Sequence, residues 1–260
     1  MESITKITLH RRRQSRAVRC FQVAAFGATW LAVWTAAGLE TKGAEQGDAT
    51  GRQTAQGEAA EGGRVLFADD FADKLAEGWR WIREDRQAWR LADGALQIRT
   101  QPGNMWGGAN NAKNLLAREI PESAAKTLAL DVTVSNRPTE RWEQLGITWY
   151  YDDAHMVKLV KELVDGKVSI VMGREEADRT RTIVILPLES ASVQLRLQIT
   201  GNQVTGLYRP DGKGAWKEAG KCDSPGKGKA NVCLQTYNGS ADAEHWARFS
   251  RFRIREVAPR

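Results

Sequence analysis

The sequence predicts an all-β fold in which two antiparallel sheets pack face to face. Apolar and polar residues alternate along many short segments, and turn signals separate these segments at close intervals. No stretch after residue 63 has the apolar spacing of a convincing amphipathic helix. A strand with an alternating pattern buries one face, so a second sheet must cover it. The absence of an internal repeat argues against a propeller.

Strand signals run from residue 64 to the C-terminus. The clearest one, 193–199, reads VQLRLQI and is apolar on one face and polar on the other. Asp165-Gly166, Gly201-Asn202 and Asp211-Gly212 predict tight turns between neighbouring strands. The predicted strands in this part of the chain are 128–134, 144–151, 156–163, 168–172, 182–186, 193–199, 203–208, 230–237 and 246–257.

The first 39 residues have the pattern of a signal peptide. A basic stretch ending at Arg19 precedes an apolar run from Cys20 to Leu39, and small residues follow the apolar core. An uncleaved membrane anchor is the alternative, but polar residues interrupt the run, which favours cleavage. Residues 40–63 have no aromatic residue and predict a flexible linker. We therefore expect an extracytoplasmic domain over 64–257, with no stable membrane span after cleavage.

The basic charge of the chain is concentrated in its first segment. Of the 38 basic and 32 acidic residues, seven basic and two acidic residues lie within 1–44, so the remainder is nearly neutral. Nucleic-acid binding normally needs a concentrated basic stripe, which the remainder lacks. The sequence therefore predicts no nucleic-acid partner.

Two cysteines, Cys222 and Cys233, remain after the predicted cleavage. In an oxidising compartment such a pair predicts a disulfide, with two buried free thiols as the alternative. Asp69 and Asp70 are candidate Ca²⁺ ligands, because this ion prefers hard oxygen donors. A turn or a cap is the alternative role for these two carboxylates.

Five segments carry a family resemblance through their order and spacing. They are LFADDF at 66–71, GWRWIRE at 78–84, AWRLADGALQI at 88–98, NAKNLLAR at 111–118 and EQLGITWYYDD at 143–153. Together they resemble the concanavalin A-like domain at the C-terminus of bacterial β-xylosidases and arabinosidases, and stand-alone relatives labelled "regulation of enolase". The resemblance covers 64–256. It implies a jelly-roll sandwich whose concave face often binds sugars, and it does not imply catalysis.

Strand parity predicts a ligand-binding face. If the apolar residues of 144–151 and 156–163 point inward, their polar neighbours point outward. A mixture of amide, charged and phenolic side chains suits sugar hydroxyls, and an aromatic ring suits the face of a pyranose. Trp106, in a Gly/Asn-rich loop, is either such a platform or a lid packed on the sheet. The predicted ligand-binding residues are Trp106, Asn110, Thr148, Tyr150, Lys158, Glu162, Arg196, Gln235 and Tyr237.

Three functions remain open from the sequence. The first is an exported domain that binds a poly- or oligosaccharide. The second is a secreted glycoside hydrolase, for which Glu143 and Glu162 are the candidate acid and base, although the Glu-x-Asp-x-Glu pattern of catalytic laminarinase-type sandwiches is absent. The third is a structural or interaction module whose polar face is only solvated.

Overall fold

A computed structural model describes residues 63–258, which form fifteen strands and one 3₁₀ turn. The predicted signal peptide and the predicted linker, except for Gly63, lie outside the described residues. Within 63–258 no helix has the length and apolar character needed to cross a membrane. The strands are β1 Val65–Asp69, β2 Trp79–Ile82, β3 Trp89–Ala92, β4 Ala95–Arg99, β5 Leu115–Glu119, β6 Thr127–Ser135, β7 Gln144–Asp152, β8 His155–Val164, β9 Lys167–Glu176, β10 Arg179–Pro187, β11 Ser192–Thr200, β12 Gln203–Pro210, β13 Lys217–Asp223, β14 Asn231–Tyr237 and β15 Trp246–Glu256.

These strands form two antiparallel sheets. Sheet A has the order β13-β12-β11-β6-β15-β4-β3, with β1 also paired to β15. Sheet B has the order β10-β9-β8-β7-β14-β5-β2. The predicted all-β concanavalin A-like sandwich is therefore confirmed.

Alternation along the strands produces the shared core. Leu130, Val132 and Val134 of β6 are fully buried between the sheets, as are Leu195 and Leu197 of β11. Because successive side chains of a strand point to opposite faces, the residues between these apolar positions lie on the outer faces of the sheets.

Local backbone features connect the strands as the sequence predicts. Asp165 and Gly166, between β8 and β9, have φ values of 47° and 77°, as a two-residue type I′ hairpin requires. β15 contains an irregularity near Arg251, whose φ is 53°. The first part of β15 pairs with β4 and the last part with β1, so the irregularity lets one long strand serve both neighbours.

The predicted disulfide between Cys222 and Cys233 is wrong, since both cysteines are free and buried. Cys222 lies on β13 of sheet A and packs in the core between the sheets. Cys233 lies on β14 of sheet B and packs in a separate cluster on the outer side of that sheet. The prediction relied on the two cysteines being close in sequence. It failed because Cys222 lies on β13, which belongs to the other sheet. β13 is a polar edge strand that the sequence pattern does not reveal.

Candidate functional site

The outer face of sheet B carries a group of buried polar side chains. Along the strand pairings, Thr148 of β7 lies opposite Lys158 of β8. Gln144 lies between Glu162 of β8 and Tyr237 of β14, and Gln235 lies opposite Gly146. We call this group the polar patch; its members are Gln144, Thr148, Lys158, Glu162, Gln235 and Tyr237. Direct cross-strand neighbours have Cβ atoms about 5 Å apart, so the members lie close together on this face.

Four members of the patch have buried polar atoms without a hydrogen-bond partner in the described part of the chain. They are Thr148 Oγ1, Glu162 Oε2, the Tyr237 hydroxyl, and both amide atoms of Gln235. An unsatisfied buried polar group costs about 1–3 kcal/mol, so folded proteins rarely leave several together. These atoms include donors and acceptors, which is the combination that binds hydroxyl groups.

Charge within the patch is nearly compensated. Lys158 Nζ donates to Gln144 Oε1 at 2.9 Å and lies 3.5 Å from Glu162 Oε2. Burial lowers the pKa of Lys158, and the carboxylates of Glu162 and Glu175 oppose this effect. Burial likewise raises the pKa of Glu162, with Lys158 opposing it. Both pKa shifts favour the neutral forms of the two side chains, so the patch offers mainly hydrogen bonds and little net charge.

The loop 101–114, here called the Trp106 loop, covers part of this face. Lys158 Nζ lies 4.3 Å from the centroid of the Trp106 ring, within cation–π range. A Cβ atom at Gly173 of β9 would lie 2.5 Å from Trp106 Cη2, so only glycine leaves room for the ring in this position. Trp106 is therefore a lid on the face of the sheet, the second of the two roles that the sequence left open.

Hydrogen bonds and the buried Met105 side chain hold the Trp106 loop in place. Asn104 accepts from the Trp106 amide at 3.0 Å and donates to its carbonyl at 2.9 Å, while the Asn104 amide donates to Asn111. The Gly107 amide donates to Glu175 Oε1 at 3.1 Å. Met105 is fully buried in a second apolar cluster on this side of sheet B, with Ala112, Leu115, Ala117, Tyr150, Met156, Cys233 and Tyr237.

The remaining predicted ligand-binding residues do not join the patch. Tyr150 is on the same face, but it packs under the loop and its hydroxyl donates to Asp153 at 2.9 Å. Asn110 lies in the loop with a φ of 46°. Arg196 is outward-facing as expected, but on sheet A, where it makes a bidentate contact with Asp131 at 2.6 and 2.7 Å. Placing Arg196 at the site is therefore wrong.

The candidate acid–base pair of Glu143 and Glu162 is not formed. Glu143 is fully buried just before β7, where its oxygens accept from Thr139, Glu140, Asn136 and His245. It fastens a loop, whereas Glu162 belongs to the patch. The other carboxylate on this face, Glu175, lies opposite Met156, six residues along β8 from Glu162. Its Oε1 accepts a hydrogen bond from the Gly107 amide at 3.1 Å, so this carboxylate holds the loop before β5.

The candidate Ca²⁺ ligands have structural roles. Asp69 accepts from the amides of Phe71 and Ala76 and from Trp79 Nε1, all at 2.8–2.9 Å. Asp70 forms an ion pair with Arg253 at 2.9 Å. Within residues 63–258 no three His, Cys, Asp or Glu side chains form a possible metal cluster. Asp69 caps a turn, the alternative that the sequence left open, whereas Asp70 belongs to an ion pair at the surface.

Two contributors to the face were missed by the sequence reasoning. Glu175 supports the Trp106 loop and is fully buried, and burial raises its pKa. Gly173 admits the Trp106 ring. Both belong to the outward set of β9, so the alternation that selected the patch could have selected them once β9 was extended to Glu176.

Comparison with known proteins supports the fold on independent grounds. The GH43 protein BlXynB of Bacillus licheniformis is 22% identical with a TM-score of 0.64, over 73% of this chain and 39% of that one. A xylan β-1,4-xylosidase of Bacillus halodurans is 20% identical with a TM-score of 0.62, over the same shares. A functionally unknown protein of Saccharomyces cerevisiae is 14% identical with a TM-score of 0.56, over 70% of this chain and 97% of that one.

The family assignment comes from the sequence match. This chain spans well under half the length of the two Bacillus proteins, so it corresponds to one part of them. No curated protein sequence matches it. Residues 68–255 match the β-xylosidase C-terminal concanavalin A-like domain, which is nearly the whole of the described region. The chain therefore belongs to the family of β-xylosidase C-terminal concanavalin A-like domains.

Proposed function

We propose that this chain is an exported carbohydrate-binding domain that holds a neutral sugar of an oligosaccharide on the polar patch. The observation that carries the proposal is the set of buried polar atoms on Thr148, Gln235 and Tyr237 that have no hydrogen-bond partner among the described residues. Sugar hydroxyls both donate and accept, so one ring can satisfy several of these atoms at once. The near-neutral Lys158–Glu162 pair favours an uncharged ligand.

Xylo-oligosaccharides are the first ligands to test. The family is that of β-xylosidase domains, and one similar structure is a xylan β-1,4-xylosidase. The half-buried Trp106 ring lies beside the patch, 4.3 Å from Lys158 Nζ, so its exposed part can contact a bound sugar. Export is supported by the basic and apolar pattern of residues 1–39, and the N-terminal residue of the protein recovered from the native host would test it.

A matched pair of tyrosine variants tests the site. Tyr237→Phe removes a hydroxyl that has no partner, and Tyr150→Phe removes one that is bonded to Asp153. In calorimetry with xylohexaose, we expect Tyr237→Phe to weaken binding about tenfold, the value of one good hydrogen bond, and Tyr150→Phe to leave it unchanged. If no oligosaccharide binds the wild type, or if Tyr237→Phe binds as the wild type does, the proposal fails.

A further inference from the structure

A cavity lies on the outer side of sheet A, on the opposite side of the sandwich from the polar patch. Its volume is about 390 Å³, and its walls include Gln97, Ser135 and Arg248. These three residues are consecutive partners across β4, β15 and β6, and they alternate with core residues, so they face outward.

Arginine side chains dominate this cavity. Arg137 and Arg248 line it, and none of the lining residues is acidic. Arg90 lies beside it, with its guanidinium 4.0 Å from the centroid of the Trp246 ring. Their polar contacts within 63–258 are with neutral groups: Arg90 donates to Gln97 Oε1 at 2.8 Å, and Arg248 donates to the Asp93 carbonyl. Arg137 and Arg248 thus line the cavity and Arg90 lies beside it, while the Asp93 carboxylate accepts from Gln97 Nε2 at 3.4 Å.

A buried ammonium group adds positive charge behind the wall. Lys161 of β8 points into the sandwich and donates to the carbonyls of Asn136 at 2.8 Å and Ala191 at 2.6 Å. Asn136 and Ala191 both line the cavity. Lys161 is only 1% exposed, and the carboxylates of Asp211 and Glu143 lie close enough to offset part of its charge.

Other groups in the cavity suit a sugar rather than a simple ion. Trp246 is held by Arg90 on one face and by a hydrogen bond from its Nε1 to Glu244, which fixes the orientation of its ring. Asn136 Oδ1 is buried and has no hydrogen-bond donor within the described residues. The Asn136 amide is turned to Glu143, to which its Nδ2 donates at 3.3 Å, so the fixed Trp246 ring is the group that can pack on a sugar.

We propose that this cavity binds an acidic saccharide, whose carboxylate or sulfate group meets Arg137 and Arg248 while its ring packs beside Trp246. Guanidinium groups bind such oxyanions with two parallel hydrogen bonds. This site is separate from the polar patch, so the two sites recognise an uncharged and a charged sugar on opposite faces of the sandwich.

The test compares ligands that differ only in charge. Calorimetry on the full chain would use methyl β-D-glucuronide, methyl β-D-glucoside and sodium sulfate. We expect the glucuronide to bind at least about tenfold more tightly than the glucoside or sulfate, the effect of one charge-assisted pair. Equal binding of the glucoside would overturn the role of the arginines. Equal binding of sulfate would overturn the role of the ring.

Variants locate the site and separate it from the patch. Arg248→Gln and the exposed Arg137→Gln should each reduce glucuronide affinity at least about fivefold, whereas Arg179→Gln, an exposed arginine elsewhere, should not. If Arg248→Gln unfolds the protein, Arg137→Gln still tests whether the glucuronide binds in this cavity. Tyr237→Phe should leave glucuronide binding intact. A loss in that variant, or none in Arg137→Gln, would refute the proposal.

Discussion

Replacing Gly173 by alanine tests whether the Trp106 loop closes on sheet B as described. Gly173 is an ordinary β9 residue with partners on both β8 and β10, so its backbone does not require glycine. The reason for glycine lies in the Trp106 ring, because an added Cβ would be 2.5 Å from Cη2, whereas ordinary contacts begin at 3.4 Å. The ring must therefore move by about 1 Å or more, as close packing allows no overlap.

The cost of this displacement can be worked out from its parts. Overpacking by one methyl group costs about 1–3 kcal/mol, and loss of the Lys158–Trp106 contact costs about 0.5–1 kcal/mol more. Alanine in a strand otherwise gains about 0.5–1 kcal/mol over glycine. We expect Gly173→Ala to lower the free energy of unfolding by about 1–3 kcal/mol in the wild type. In a Trp106→Ala background the same change should become neutral or stabilising.

Urea denaturation of the four proteins in this double-mutant cycle measures the coupling between positions 106 and 173. The change of sign separates a steric contact with Trp106 from a general intolerance of alanine in β9. If Gly173→Ala has the same cost with and without Trp106, the ring does not lie on Gly173, and the loop is not a lid on this face.

Three further predictions concern stability and chemistry. Without sugar, Tyr237→Phe should raise the free energy of unfolding by about 1 kcal/mol, since it removes an unsatisfied buried hydroxyl. Tyr150→Phe should lower the free energy of unfolding, because it removes the hydrogen bond to Asp153. Thermal denaturation of the two variants measures the difference. Burial lowers the pKa of Lys161 from 10.5 to about 8, so the unfolded chain binds more protons than the folded chain between these two pH values. The free energy of unfolding should therefore rise with pH by up to about 3 kcal/mol. Urea titrations at pH 7 and 10 should show this rise in the wild type and not in Lys161→Met. Protein lacking residues 1–44 should react with two equivalents of a thiol reagent when denatured and slowly when folded, because Cys222 and Cys233 are buried and burial raises their thiol pKa values, that of Cys222 to about 11; a single disulfide would leave none.

The sequence predicted those parts of the site that depend on alternation along a single strand. Thr148, Lys158, Glu162 and Gln235 share a face because their parity relative to apolar neighbours is a local property. Arg196 obeyed the same rule, yet it lies in the other sheet, because sheet membership depends on pairing between distant segments. The Trp106–Gly173 contact and the sheet of Cys222 also join parts of the chain that no short pattern relates. Their positions follow only from the complete topology.

The contrast between the two outer faces supports the proposal that the polar patch binds a ligand. At the centre of sheet A, Asp131 and Arg196 are as buried as the patch residues, but they satisfy each other through two short hydrogen bonds. The same fold can therefore pair its buried polar groups. On sheet B the side chains of Thr148, Gln235 and Tyr237 have no such partner, although apolar residues of similar size would remove the desolvation cost. The desolvation cost is offset only if a ligand or ordered water supplies the missing hydrogen bonds. The Trp106 ring beside these side chains favours a ligand with a flat face.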